Sequence, residues 1–516
     1  MESIYRSKRS VTVLSLLFIL AFELRLYNIS RPITDPYSFR QSQTAWLIRY
    51  LSERGLDLFS GFLPVLGAPW QLPFEFPLYQ NIAALLVAAV GSVEVAGRLV
   101  SIGSCFVAAG IFHGLVRHYL GGACALLSTG VFLFAPYSIF WSTAVIIDFF
   151  ALALSLGFLW GIHHFAQTRR AYYLLIATAC AAAAGAVKLP SLLFYIMPGA
   201  WMLYDRWRIV WDELNQNQKF RLTLLVLLCA VVSMLPFVVW TQYADAVKNA
   251  HHFTVFATSY RLHNWYFGSA AQILDLWGIA RVISRMLENF GLRGFSVLLL
   301  LGVARGISRR DTRGFVCSFL LQLLLTIVVF RNLHLAHHYY QISIFPAVSM
   351  FIGLGFLCVG DFFRRQKALG VGLVLVAMTL SRIERIENYL ATIYSPAKVP
   401  DGYKRMRELG LIIKAETQPN DRIGIVGQET WDPSILYAAD RYGFMVRSEA
   451  EVEWKSYVTS ECYDYILFIA GASQQIPKMI ETASVEPVRL GDRFVLARLR
   501  YNSDRSPCDK AQAEAQ

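Results

Sequence analysis

Residues 171–187, AYYLLIATACAAAAGAV, and 190–205, PSLLFYIMPGAWMLYD, are two apolar runs parted only by Lys188 and Leu189. Arg169 and Arg170 precede the first run, and Arg206 and Arg208 follow the second. Positive charge beside an apolar run marks its cytoplasmic end. The pair therefore reads as a tight membrane hairpin with Lys188 at its outer turn. Further runs at about 11–26, 95–116, 120–138, 146–166, 222–241, 290–304, 314–330, 338–359 and 368–384 extend the pattern. If they alternate, the basic residues Arg6, Lys8 and Arg9, those from Arg305 to Arg313, and Arg364, Arg365 and Lys367 all fall inside. The expected fold is a polytopic α-helical membrane protein of about eleven spans, with its N-terminus cytoplasmic and its C-terminus outside.

Composition agrees. Of 516 residues, 55% are hydrophobic and 16% charged, and mean hydropathy is +0.43. Soluble proteins carry about 25% charged residues, so this chain cannot clothe a globular surface, which excludes a cytosolic enzyme and a disordered scaffold. The net charge of +12 sits in short loop clusters. It forms no nucleic-acid face, and no nucleic-acid partner is expected. Eight scattered cysteines make no CxxC and no zinc spacing. Cys462 and Cys508 lie in the polar C-terminal region and can pair if that region is outside the cytoplasm.

The first run ends Glu23-Leu-Arg25-Leu-Tyr27, with no small-residue cleavage site, and reads as an uncleaved anchor. Two outer loops are expected at about 27–94 and 242–289. Leu78–Val90 is too short for a comfortable span and would invert the basic loops, so it reads as a helix at the outer surface. The helix after Asp35 carries Phe39, Trp46, Leu47, Tyr50 and Leu51 on one stripe, which predicts that it lies on the membrane. Ile423–Val426 and Tyr465–Ile469 read as strands, Lys404–Glu416 and Ser434–Ala439 as helices. The expected organisation is a transmembrane domain over 1–384, a small soluble α/β domain over 385–507 and a disordered tail over 508–516.

Ionisable residues are costly near a bilayer, and here they gather on the outer side. Asp35-Pro36 reads either as a helix start or as an acid facing a polar substrate, with Arg40, Gln43 and Thr44 sharing a face of the helix that follows. Glu75 stands among aromatics and proline; it is either a first-turn acid or a functional one. Asp148 lies at the outer end of a span. Lys188 either snorkels or meets an anionic head group. Arg331-Asn-Leu-His334-Leu-Ala-His337-His338-Tyr339-Tyr340 forms a later outer turn. His334 and His338 have i,i+4 spacing, but no acid stands beside them, so a phosphate site is favoured over metal, and plain interfacial aromatics remain the alternative. Glu94 and Arg98 read as a structural ion pair. A carboxylate base and several cations at one membrane surface suit transfer from a lipid-linked phosphate.

At these residues the chain resembles the lipid-dependent glycosyltransferases of the GT-C fold, closest to bacterial relatives of protein O-mannosyltransferases and the lipid A aminoarabinose transferase. The motifs are Arg40-Gln41-Ser42-Gln43-Thr44-Ala45, Glu75-Phe76-Pro77-Leu78-Tyr79-Gln80 and Glu94-Val-Ala-Gly-Arg98-Leu, followed by Asp148, Lys188-Leu-Pro190 and the His-Tyr-Tyr segment. Each is short; their order is the specific signal. The resemblance implies a multi-pass enzyme of the bacterial inner membrane that moves a hexose or pentose from a polyprenyl-phosphate donor, usually with inversion. The acceptor would be an envelope glycan, lipid or protein, and the C-terminal domain would be periplasmic. It also implies an acid in each of the first two outer loops, carried here to Asp35 and Asp148, with Glu75 as a third. Asp35 is the expected base. Arg40, Gln43, Lys188, His337, His338 and Tyr340 are expected to bind substrate or phosphate, with no metal and no cofactor. Relatives often have an acid where this chain has Gln43 and a lysine where it has Phe76. The rival readings are a polymerase or ligase using pyrophosphate-linked glycan, and a lipid or sugar transporter.

Overall fold

The structure, a computed structural model, describes residues 2–211, 214–290, 293–363, 390, 393–395, 397, 399–427, 431–446, 462–469 and 485–500. The expected span at 368–384, its basic neighbours Arg364, Arg365 and Lys367, the tail 508–516 and Cys508 lie outside these residues. The helices begin α1 (Glu2–Leu26), α2 (Ser38–Arg54), α3 (Leu78–Val90), α4 (Val93–Leu120), α5 (Gly122–Phe134), α6 (Pro136–Ser142) and α7 (Asp148–Thr168). They continue α8 (Ala171–Leu193), α9 (Ile196–Val210), α10 (Gln216–Asn249), α11 (His263–Phe267), α12 (Ala270–Leu274) and α13 (Leu276–Asn289). Then come α14 (Ser296–Ser308), α15 (Arg313–Val329), α16 (Arg331–Ala336), a 3₁₀ turn over His338–Ile344, α17 (Phe345–Phe363), α18 (Asp401–Glu416) and α19 (Ser434–Ala439).

Two compact units form. The first comprises Met1–Arg31, Glu75–Tyr243 and Ser259–Lys398; the second comprises Pro32–Phe74, Ala244–Thr258 and Val399–Gln516.

The first unit is helical. Among the described residues, five helices are long and apolar enough to cross a membrane, or six if α5 and α6, bent by 59°, make one span. Helices α3, α14 and α15 are apolar but shorter than 18 residues, against the roughly 20 residues a crossing needs. Helices α14 and α17 touch through backbone: a side chain at Gly302 or Gly355 would run into the Phe351 or Leu298 carbonyl. Arg98 is fully buried and donates to the carbonyls of Ile29, Arg31 and Thr143 at 2.6, 2.5 and 3.1 Å. It thereby ties α4 to the end of α1 and to the turn before α7. Glu94 accepts from the Ser92 hydroxyl at 3.1 Å, at the cap of α4.

The second unit holds a five-stranded sheet: β1 (Ile423–Val426), β2 (Gly443–Val446), β3 (Tyr465–Ile469), β4 (Val485–Gly491) and β5 (Phe494–Leu499). The order is β2-β1-β3-β5-β4, with β1 parallel to β2 and β3, and β5 antiparallel to β3 and β4. Residues 64–67 hydrogen-bond to the free edge of β2 through Gly443 and Met445. Helix α2 completes the core. The Trp46 ring packs edge-on to Phe62, Tyr437 and Tyr442 and is 2% exposed. This corrects the membrane-surface reading of α2. Its stripe is covered by aromatics of the same unit, because Trp46, Leu47 and Leu51 match a hydrophobic partner that arrives about 390 residues later. Cys462 is disulfide-bonded, while Cys105, Cys124, Cys180, Cys229, Cys317 and Cys358 are free thiols.

Truncating Trp46 to Ala should cost about 3–5 kcal/mol, and breaking the partly exposed Arg49–Asp440 pair less than about 1 kcal/mol. Denaturant unfolding of the full chain, followed by tryptophan fluorescence, compares the two; equal effects would show that α2 is not a core element of this unit.

Candidate functional site

In the first unit the site is built on a break in α8. Pro190 has no N–H, so the carbonyl of Ala186 loses its helical partner. The backbone leaves the helical region at Lys188, with φ −161° and ψ 86°. The Ala186 carbonyl instead accepts the backbone N–H of Phe76 at 3.2 Å. One proline thus turns Lys188 out of the helix and pins the Glu75–Pro77 segment beside it. Glu75 Oε1 accepts from Gln80 Nε2 at 2.9 Å, closing that segment onto α3.

Lys188 Nζ pairs with Asp148 Oδ1. The two side chains are only 11% and 3% exposed. Asp148 opens α7, where the unpaired N–H groups of the first turn favour negative charge. The same ammonium lies 4.2 Å from the centre of the Tyr340 ring and 4.9 Å from that of Tyr339. Such faces attract a cation that has lost part of its water. His337 stacks on Tyr339, with centroids 5.1 Å apart and planes at 12°, and meets Trp265 at 5.4 Å.

The i,i+4 helical spacing of His334 and His338 is not realised. Helix α16 ends at Ala336, and His337 is extended at φ −135° and ψ 136°. His338 accepts through Nε2 from the Arg285 guanidinium at 3.0 Å, while its carbonyl accepts from the Tyr137 hydroxyl at 2.7 Å. To accept there, His338 must be neutral with its proton on Nδ1. Arg331 donates to the carbonyls of Gln272 and Asp275 and joins α12 and α13 to α16.

The first unit therefore brings Asp148, Lys188, His337 and Tyr340 together, with His338 facing Arg285 and with Glu75 on the segment tied to the break. Arg285, Tyr339 and Trp265 were not assigned roles from the sequence. The signal for Arg285 was available: it is a cation in an expected outer loop, the argument that drew attention to Lys188.

In the second unit Asp35 is 3% exposed. Its Oδ1 accepts the Tyr37 N–H at 3.0 Å, and Gln41 Nε2 donates to both carboxylate oxygens at 2.7 and 2.6 Å. The helix starts only at Ser38, so Asp35 closes the turn before α2 rather than capping it. Arg40 donates to Gln43 Oε1 at 2.8 Å, and Thr44 to the Arg40 carbonyl at 3.2 Å, so the expected face forms. Burial pushes the Tyr403 phenol above its ordinary range, and the Asp35 and Asp432 carboxylates push it further. Burial also raises the Asp432 carboxyl, against two bonds from Ser434 that lower it.

No family model and no curated protein matches the sequence. Solved structures do match. ArnT from Cupriavidus metallidurans, solved bound to undecaprenyl phosphate, superposes with a TM-score of 0.59 at 13% identity, covering 94% of this chain and 97% of that one. The archaeal oligosaccharyltransferase AglB from Archaeoglobus fulgidus, solved with an inhibitory peptide and a dolichol-phosphate, gives 0.54 at 10% identity, covering 98% and 75%. Both are GT-C proteins, and this chain has the GT-C fold.

Lys188→Met leaves a buried carboxylate without its cation and should destabilise the chain by about 3–5 kcal/mol. The double variant Asp148→Leu/Lys188→Met should regain most of that. Thermal unfolding in detergent measures both, and no loss in the single variant would show that the pair is solvated.

Proposed function

We propose that this protein transfers a sugar from a polyprenyl-phosphate donor to an envelope glycan, lipid or protein at the periplasmic face of a bacterial inner membrane. The observation that carries the reading is the buried Lys188–Asp148 pair beneath Tyr339 and Tyr340, at a proline break in a GT-C fold. The undecaprenyl phosphate bound to ArnT and the dolichol-phosphate bound to AglB support a lipid phosphate as ligand. The disulfide at Cys462 supports an oxidising compartment for the C-terminal region, expected over 385–507.

In the first unit Lys188 takes the donor phosphate, assisted by His337, His338 and Tyr340; in the second unit Arg40 and Gln43 are the candidate substrate-binding residues. Asp35 acts as base. The acceptor hydroxyl gives its proton to Asp35 while its oxygen attacks the anomeric carbon. The bond from that carbon to the phosphate oxygen breaks, and the lipid phosphate leaves with the electron pair. Negative charge grows on the phosphate as the bond breaks, which is where a cation lowers the barrier. Asp148 sets the position of Lys188, and Glu75 orients the sugar or acceptor.

In proteoliposomes supplied with undecaprenyl-phosphate-linked sugars, bare undecaprenyl phosphate should appear in step with glycosylated acceptor. Asp35→Asn should lower turnover by about 10²–10⁴-fold with membrane insertion intact. In the fraction that remains folded, Lys188→Ala should raise the KM for the lipid. Movement of the lipid across the bilayer without bond cleavage would make the protein a transporter instead.

A further inference from the structure

Beside the Lys188 turn lies a buried polar group of residues that the proposed transfer does not use. Asn289, in the last turn of α13, donates through Nδ2 to Gln341 Oε1 at 3.0 Å. Gln341 Nε2 donates in turn to the His334 carbonyl at 3.2 Å. The three residues are buried to 2%, 0% and 2% exposure. Yet Asn289 Oδ1 and both ring nitrogens of His334 make no hydrogen bond among the described residues.

Buried polar atoms are almost always paired, and each one left unmade costs about 1–3 kcal/mol. Three together are a poor arrangement for stability alone. Burial, followed by the nearby Lys188 charge, lowers the His334 pKa to about 4, so the ring is neutral at pH 7. A neutral imidazole offers one donor and one acceptor; Asn289 Oδ1 adds a second acceptor. This set carries no charge. It suits hydroxyl groups, which both donate and accept, and does not suit a phosphate or carboxylate. The Lys188 ammonium within electrostatic reach is the group for the anion. Arg285, four residues before Asn289 on α13, bonds His338 and places the same helix face against this turn.

We propose that His334 and Asn289 form an uncharged pocket that hydrogen-bonds the hydroxyls of the donor sugar while Lys188 holds its phosphate. The inference rests on the reading of Lys188 as a phosphate ligand. A site built to bond a hydroxyl leaves its own buried groups unpaired when that hydroxyl is absent, which gives strong discrimination.

The test uses the full-length protein in nanodiscs. The probes are undecaprenyl phosphate alone and the same lipid carrying glucose, mannose or 4-amino-4-deoxyarabinose. Wild type should bind at least one sugar-bearing lipid about tenfold or more tighter than the bare lipid. His334→Leu and Asn289→Leu should erase that preference and leave the bare lipid within about twofold. His334→Gln, which keeps a donor and an acceptor, should retain part of it. His334→Leu should not lower the unfolding temperature, since it removes unpaired polar atoms. No sugar preference in wild type, an equal loss for both lipids, or an unchanged preference in the variants (bound water only) would each overturn the proposal. Lys188→Ala separates the two readings: it should weaken both lipids, and if it weakens neither, the phosphate reading fails instead.

Discussion

One missing hydrogen-bond donor organises the first unit. Pro190 cannot bond the Ala186 carbonyl, so α8 opens at Lys188 and the carbonyl takes the Phe76 N–H instead. Without that break, Lys188 would be one more side chain on a helix wall. With it, the ammonium reaches Asp148 at the start of α7 and the faces of Tyr339 and Tyr340. The break joins four stretches of chain, around 75, 148, 188 and 340.

The energetics explain why such a cluster contributes little to stability. A buried ion pair gains little over an apolar pair of equal volume, because two charges have been taken from water. In the proposed reading its use lies in holding a cation oriented and partly dehydrated, where an anion is bound more strongly than in water. The aromatic faces attract that cation. The neighbouring His334 has lost its charge to the same burial that strengthens Lys188's field. In the proposed reading, charged and neutral recognition sit side by side because one group is desolvated beside a carboxylate and the other beside a cation.

Much of the fold was legible. The helix at 78–90, strands β1 and β3 and helices α18 and α19 follow from apolar periodicity and turn residues, whereas the turn expected at Lys188 is a kink within α8, which runs on to Leu193. The Arg40–Gln43–Thr44 face follows from helical spacing. Two features were not legible. The stripe on α2 looks the same whether lipid or protein covers it, and Tyr437 and Tyr442 settle the matter only once the chain has folded. The i,i+4 relation of His334 and His338 assumed a helix that ends at Ala336.

By itself, the sequence determined the class of molecule: a chain too apolar for water, built of helices apolar enough to cross a membrane. These are properties of local composition, and local composition is read directly. Only the tertiary structure decided which acid meets which cation. Asp148 pairs with Lys188, Gln41 clasps Asp35, and Arg285 turns to His338. Such pairings depend on where helices far apart in sequence come to rest, and no periodicity along one segment encodes the position of another.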